Sequence, residues 1–586
     1  MRRFSGLPGS PRGSVRRLLQ HISFHYNRIH GRKKDRFSGR SRKIAGLPVF
    51  LYNLYRQNRN GAYTDTSADA VSGSGASART TNRRYDRMKV QINPERVLFS
   101  RNPMIYGQFL EHFHRQIYGG IYDPGSPLAD EDGFRVDVLE ALRRIRVPVI
   151  RWPGGCFVSA YHWKNGVGKR RIPSYDKAWR TEESNAFGTD EFIRLCRKLG
   201  CEPYICTNAG SGGPEEMSDW VEYCNLPGEG QYARARIENG FTEPHRVKYW
   251  SVGNENYLDG EIGTKTAEQW GPFVREAAKM MKRVDPGIQL SAAAVADTDW
   301  NVQLLKYAGR WMDWISIHGY WDELWQDNTP AGYEQCMART EDLDRDVRRV
   351  RGLLSAYGLE KKIRIAYDEW NLRGWHHPRV DDAPLGDRDF IAARDLNDDN
   401  RTYTMADAVF SACFLNMLLR NADIVGMANF APAVNTRGLI FTYDRGIVLR
   451  PAYYVFELYT RLMGDEVIDC FARETPRMRA ADRFGREHAP EQVDLAATRN
   501  STDGSLAVSL VNKHPGKAAD VLLSGIPARG NAELRVLTGT KPDACNEPGI
   551  TNVRPETRND LLNRGEDGVL RVSLPPCSVC VLTAGE

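Results

Sequence analysis

The 586-residue sequence contains no apolar run near the ~18 residues that a helical membrane span needs. The best run near the start, Leu47–Tyr55, is short and lies too far in to be a secretion signal. Cysteine gives no framework either. The count of 11 is odd, the spacing is irregular, and Cys206, Cys413 and Cys470 sit inside apolar runs where a thiol serves as a small hydrophobe. This argues against a disulfide scaffold and favours a reducing compartment, so a cytoplasmic protein is expected. Cys577 and Cys580 form a C-x-x-C, but a three-residue step on a strand sends the side chains to opposite faces. No H-E-x-x-H is present. His318, His376 and His377 are the available ligands, and His376-His377-Pro378 reads as a loop, so no metal is expected. No glycine-rich phosphate loop follows any apolar run, which argues against a nucleotide-binding doubly wound sheet.

Acidic residues are nearly missing from one region. Residues 1–87 hold 19 Lys and Arg against four Asp, a net of +15. The whole chain carries +7, so the other 499 residues carry −8. The pI of about 8.7 therefore comes from the leader and does not argue for nucleic acid. Arginine, serine and glycine dominate this leader, and Ser72–Ser77 is low in complexity. A targeting peptide, a basic arm or a disordered extension would each look so. The last is preferred, with Met88 the expected true start, because K-V-Q-I-N and V-L-F follow it at once as a first strand.

What the chain does have is a rhythm. Apolar strands are expected at Met104–Glu111, Val147–Trp152, Glu202–Asn208, Val247–Glu255, Gln289–Ala296, Trp311–Tyr320, Lys362–Asn371 and Asp423–Phe430. Amphipathic helices are expected between them, among them Asp190–Leu199, Thr266–Val284, Asp342–Tyr357 and Arg401–Arg420. Eight strands with crossover helices predict a (β/α)8 TIM barrel over residues 104–462. After Met463 the segments are short and β-rich, with turns at Asp503-Gly504 and Asp567-Gly568. Residues 463–586 are expected to form an all-β sandwich, joined by residues 89–103 from the other end of the chain.

The strands end on polar residues: Glu111, Arg151, Asn208, Glu255, His318 with Tyr320, Glu369 and Asn429. In a barrel those ends converge on one mouth, where active sites lie. Two of them stand out. Lys248–Asn256 (K-Y-W-S-V-G-N-E-N) and Ile363–Asn371 (I-R-I-A-Y-D-E-W-N) are both apolar strands closing on a carboxylate. Two carboxyl groups are what glycosidic hydrolysis needs, one to protonate the leaving oxygen and one to meet the anomeric carbon. Glu255, preceded by Asn254, is assigned as acid/base and Glu369 as nucleophile, with His318 and Tyr320 orienting Glu369.

At these residues the sequence resembles glycoside hydrolase family 51, from about Lys89 to the C-terminus. The resemblance rests on Tyr106–Tyr122, Arg151–Trp163, Gly253-Asn254-Glu255, Asp368-Glu369-Trp370-Asn371, and Val434–Gly438 with Gly446-Ile447-Val448. It implies an exo-acting, retaining α-L-arabinofuranosidase that takes terminal arabinofuranosyl residues from arabinose-containing oligosaccharides. It also implies a homohexamer without cofactor. Among the site residues, the resemblance implies that Glu111 and Cys156, with Asn254, His318 and Tyr320, contact the furanose. Arg151, Asn208 and Trp370 complete the expected substrate-binding set. Asn256, Pro432 and Gly319 depart from the family's usual residues at the pocket rim. Endo-β-glucanase and β-xylosidase are the alternatives on the same scaffold. A non-catalytic sugar-binding protein is the alternative from another class, and retention of both carboxylates argues against it.

Overall fold

The computed structural model describes residues 88–324, 329–375, 398–473, 475–527 and 531–585. The leader, His376 and His377 lie outside the described residues.

Eight parallel strands form the centre. They are β1 Gly107–Phe109, β2 Val149–Trp152, β3 Glu202–Thr207, β4 Tyr249–Val252, β5 Gln289–Ala292, β6 Trp314–Leu324, β7 Arg364–Trp375 and β8 Val425–Phe430. Their order in the sheet is β5-β4-β3-β2-β1-β8-β7-β6. A parallel bridge from Ala293 to Ser316 joins the two ends, so the sheet closes into a TIM barrel. The strands read as near-continuous apolar runs because both faces are covered. Val149, Tyr204, Tyr249, Trp314, Ala366 and Met427 come from six of these strands and pack with Met104 as one layer inside the barrel. That layer is a filled floor, and functional groups must stand above it.

Some helices begin where the sequence supplies a side-chain cap. In Ala267–Val284 the Thr266 hydroxyl accepts from the Gln269 N–H at 3.3 Å, and the Gln269 side chain accepts from the Thr266 N–H at 3.0 Å. The helix expected from Arg401 starts only at Met405, because Thr404 and Asp407 form a second such box there. This helix, Met405–Arg420, is buried on every side from Met405 to Leu419. A helix apolar all round must be covered all round. One side packs on the barrel and the other on the β-rich domain, where Asn416 donates to Asp494 at 2.8 Å.

The C-terminal domain is one ten-stranded sheet folded over on itself. Ile92, Val508, Leu523, Leu534, Val572 and Leu582, from six of its strands, share a single core, which gives the two layers of a sandwich. Met88–Ser100 lies inside this sheet. It pairs antiparallel with Glu466–Arg473 and parallel with Ala519–Ser524.

Strands β6 and β7 outrun their expected ends at Tyr320 and Asn371. They stay paired beyond the barrel, through Arg373 opposite Asp322 to Trp375 opposite Leu324. The charged Arg373 gives no apolar signal for a longer strand. Its guanidinium is buried and neutralised by Asp407 at 2.9 Å and by Asp322, and such pairing is what lets a strand keep a charge inside.

Candidate active site

A bulge in β7 builds the site. Tyr367 lies opposite Ile317 and Glu369 opposite His318, so Asp368 is one residue too many for the ladder. Strict alternation would send Asp368 and Glu369 to opposite faces. With the bulge both reach Arg151 at the end of β2: its Nη1 donates to Glu369 Oε1 at 2.7 Å and its Nε lies 3.7 Å from Asp368 Oδ2. Asp368 also accepts from Tyr204 of the floor at 2.7 Å. Arg151 is fully buried and spends its other arm on Asn254 Oδ1, at 2.8 Å. The planar guanidinium thus ties the ends of β2, β4 and β7 together, which a lysine could not do.

Glu369 is held at both oxygens. Oε1 takes Arg151, and Oε2 takes the Tyr320 hydroxyl at 2.6 Å. Burial alone would raise its carboxyl, but His318, Arg151 and Tyr320 outweigh that and hold it below the ordinary carboxylate range. Arg437 sits over the Tyr320 ring at 4.9 Å and donates to its hydroxyl at 3.2 Å.

Glu255 lies across from Glu369. Its backbone is in the left-handed region, φ 45°, just after Gly253 at φ 73°. A non-glycine residue held there costs conformational energy and must be fixed by its surroundings. His318 Nδ1 is 2.8 Å from Glu255 Oε1 and 3.8 Å from Glu369 Oε2. Ligand-type atoms of Glu255, His318 and Glu369 lie within 4.8 Å of one another. Burial would lower the imidazole's affinity for a proton, but the two carboxylates prevail and raise it above its usual value. A second such set, Cys156, Glu255 and Glu261, also falls within 4.8 Å. Either set could hold a cation, and both would occupy Glu255.

Glu111 completes this face. Its Oε1 accepts from the Phe157 N–H at 3.1 Å and from Trp179 Nε1 at 3.0 Å. Burial, then the charge of Glu369, pushes its carboxyl up to about 8. Below that pH Glu111 is neutral, and its proton falls to Oε2, which can donate. Gly155 lies between the two acids, since a Cβ there would stand 3.1 Å from Glu369 Oε1 and 3.5 Å from Glu111.

Eight of the ten residues expected at the site are brought together: Glu255, Glu369, Glu111, Arg151, Cys156, Asn254, His318 and Tyr320. Two are not. Asn208 is spent on its own loop and the neighbouring one after β2, donating to Tyr161 O at 2.9 Å and Ser211 at 3.0 Å while accepting from Gly210 N–H. Trp370 is a correction. After the bulge it turns away from the mouth and stacks on Phe414 at 4.0 Å, edge-on to Phe430, fully buried. Four partners were not among the expected site residues: Trp179 and Glu261, and Asp368 and Arg437, which lie inside the motifs but carried no assigned contact. Trp179 is presented by a small hairpin, Ser174–Asp176 with Thr181–Glu183, whose strands are too short to show a period.

Comparison with known proteins decides the family. Residues 141–338 match the Alpha-L-arabinofuranosidase 1 domain, and residues 368–578 the Alpha-L-arabinofuranosidase C-terminal domain. The chain is 34% identical over 491 residues to alpha-L-arabinofuranosidase C of Emericella nidulans, covering 79% of this chain and 92% of that one. The chain belongs to the α-L-arabinofuranosidases of glycoside hydrolase family 51. It is also similar to an intracellular exo-alpha-(1->5)-L-arabinofuranosidase of Halalkalibacterium halodurans, 34% identical over 70% of this chain and 81% of that one. Among solved structures, an α-L-arabinofuranosidase from Thermotoga maritima in complex with arabinose superposes with a TM-score of 0.74 at 34% identity. The match spans 85% of this family 51 chain and all of that one. The chain is thus a glycoside hydrolase, and its fold is the barrel plus sandwich of its family.

Proposed function

We propose that the chain is a retaining, exo-acting α-L-arabinofuranosidase, with Glu369 as nucleophile and Glu255 as acid/base. The observation that carries this reading is the close facing of Glu255 and Glu369, joined through His318 within 4.8 Å. Retaining enzymes set their carboxyl groups about 5–5.5 Å apart, whereas inverting enzymes leave room for a water. Glu369 is suited to attack because Arg151, His318 and Tyr320 keep it ionised.

The reaction runs in two displacements. A Glu369 oxygen forms a bond to the anomeric carbon as the glycosidic bond breaks, and the departing oxygen takes a proton from Glu255. Water then gives its proton back to Glu255 while its oxygen displaces Glu369. Arabinose leaves with its anomeric configuration retained. Glu111, Cys156 and Asn254 surround the furanose, with neutral Glu111 donating to a sugar hydroxyl. The substrates are arabinose-containing oligosaccharides. A cytoplasmic location and a homohexamer accompany this reading, and sedimentation of the purified chain tests the latter.

Release of nitrophenol from α-L-arabinofuranoside, β-D-xyloside and β-D-glucoside tests the glycone. A clear preference for the arabinofuranoside is expected; silence there with activity on another sugar would overturn the specificity. Glu369→Ala should abolish turnover on every substrate. Glu255→Ala should spare activated aryl glycosides far more than oligosaccharides, because good leaving groups need little protonation. Equal losses on both substrate types would reverse or void the two roles.

A further inference from the structure

Six residues beyond Glu255, the same loop carries another carboxyl that the reaction above does not use. Glu261 is 6% exposed. Its side chain leaves its own loop and crosses to the 3-10 turn Cys156–Ala160 that follows β2. There the Ser159 hydroxyl donates to Glu261 Oε1 at 2.5 Å. The Cys156 thiol, from the same turn, faces it at close range. Cys156 Sγ, a Glu255 oxygen and a Glu261 oxygen lie within 4.8 Å of one another.

A buried carboxyl is an expensive way to tie down a loop. Burial pushes Glu261 up to about 7 against the opposing influence of Cys156 and Ser159; Glu255 raises it further and Asn254 lowers it. An apolar side chain would hold the loop without that cost, but it would offer nothing to Cys156 or Ser159. The loop needs holding at one point above all. Glu255 sits at φ 45° and its carbonyl accepts from the Leu258 N–H at 2.7 Å, while Leu258 accepts from the Glu261 N–H at 3.1 Å. Glu255 and Glu261 are therefore two ends of one hydrogen-bonded turn, and anchoring Glu261 fixes the turn that aims Glu255.

We propose that Glu261 is a positioning residue for the acid/base: through Ser159 its carboxyl clamps the Glu255 turn to the β2 loop, with Cys156 close beside it. This rests on Glu255 being the proton donor. The clamp acts by geometry, with the carboxyl serving as a hydrogen-bond acceptor.

The test compares the full chain with its Glu261→Ala, Glu261→Gln, Ser159→Ala and Glu255→Ala variants. Each is assayed on an arabino-oligosaccharide and on dinitrophenyl α-L-arabinofuranoside, with kcat and KM separated. Loss of well-aimed proton donation should cost Glu261→Ala roughly tenfold or more in kcat on the oligosaccharide, and far less on the dinitrophenyl substrate. Ser159→Ala should lose in the same direction and by less. Glu261→Gln keeps an acceptor for Ser159 and should recover to within about threefold of wild type. Equal losses of Glu261→Ala on both substrates, or a Gln variant as impaired as Ala, would overturn the clamp. If Glu261→Ala does not fold, the leaving-group dependence of Ser159→Ala decides alone. Glu255→Ala separates the failures: if it lacks the leaving-group pattern, the assignment of Glu255 fails; if it has the pattern and Glu261→Ala lacks it, the clamp alone fails.

Discussion

Glu111 is the residue whose chemistry its environment changes most plainly. Its carboxyl is pushed up to about 8 from an ordinary 4.5, by burial first and Glu369 second. A raised folded pKa means that the folded state keeps the proton over a range where the unfolded chain has lost it. The stability this proton supports is intact below about 4.5 and is lost as pH rises to about 8. Glu111→Gln, which cannot ionise, should therefore lose less melting temperature than wild type between about pH 5 and pH 8. Parallel curves would show that Glu111 does not hold its proton there. Arg151 makes a second case at this scale. Arg151→Lys keeps the charge but cannot reach Glu369 and Asn254 together, so kcat should fall about 100-fold or more, the scale expected when a reacting group is misplaced. A fall of only a few-fold would mean that charge alone suffices.

At the scale of elements, β7 shows why a strand-end motif was legible and its neighbours were not. The apolar run and its closing Asp368-Glu369-Trp370 announce a strand that delivers polar groups to a mouth. The one-residue bulge opposite β6 has no sequence mark, yet it decides which groups arrive. It brings Asp368 in and turns Trp370 out. Trp370 then belongs to the contact between β7 and Met405–Arg420, stacked on Phe414 and near Phe456. Trp370→Ala should destabilise by about 3–5 kcal/mol, the cost of emptying a large aromatic site, while activity measured well below the melting temperature stays largely intact. Thermal unfolding and kcat on one preparation check this, and loss of activity with unchanged stability would return Trp370 to the sugar site. The same reasoning covers Asn208, which ends β3 as a binding residue would but finds its partners in its own loop and in the loop after β2.

Across the whole molecule, the first described strand binds the two ends of the chain. Met88–Ser100 is paired on both edges within the C-terminal sheet, with Met88, Val90 and Ile92 in its core. Removing residues 1–100 would leave two strands unpaired and open that core, so the product should be insoluble or melt far below wild type. Removing only residues 1–87 should leave turnover unchanged, if the leader has no enzymatic part. A soluble, active chain starting at 101 would show that the sandwich does not need its first strand.

The sequence by itself determined the class of fold and the approximate course of its helices, and it marked Glu255 and Glu369 as the acids closing two apolar runs. Each depends on local information: hydrophobic period, cap chemistry, and an acid closing an apolar run. The tertiary structure alone decided which polar strand ends meet. Arg437, Trp179, Asp368 and Glu261 join the site through a later loop, a short hairpin, a bulge and a crossing between loops, and none of these leaves a periodic trace. Charge state was decided there too. Glu111 and Glu369 are the same residue type at the same barrel mouth, and only their surroundings make one a neutral donor and the other an anion.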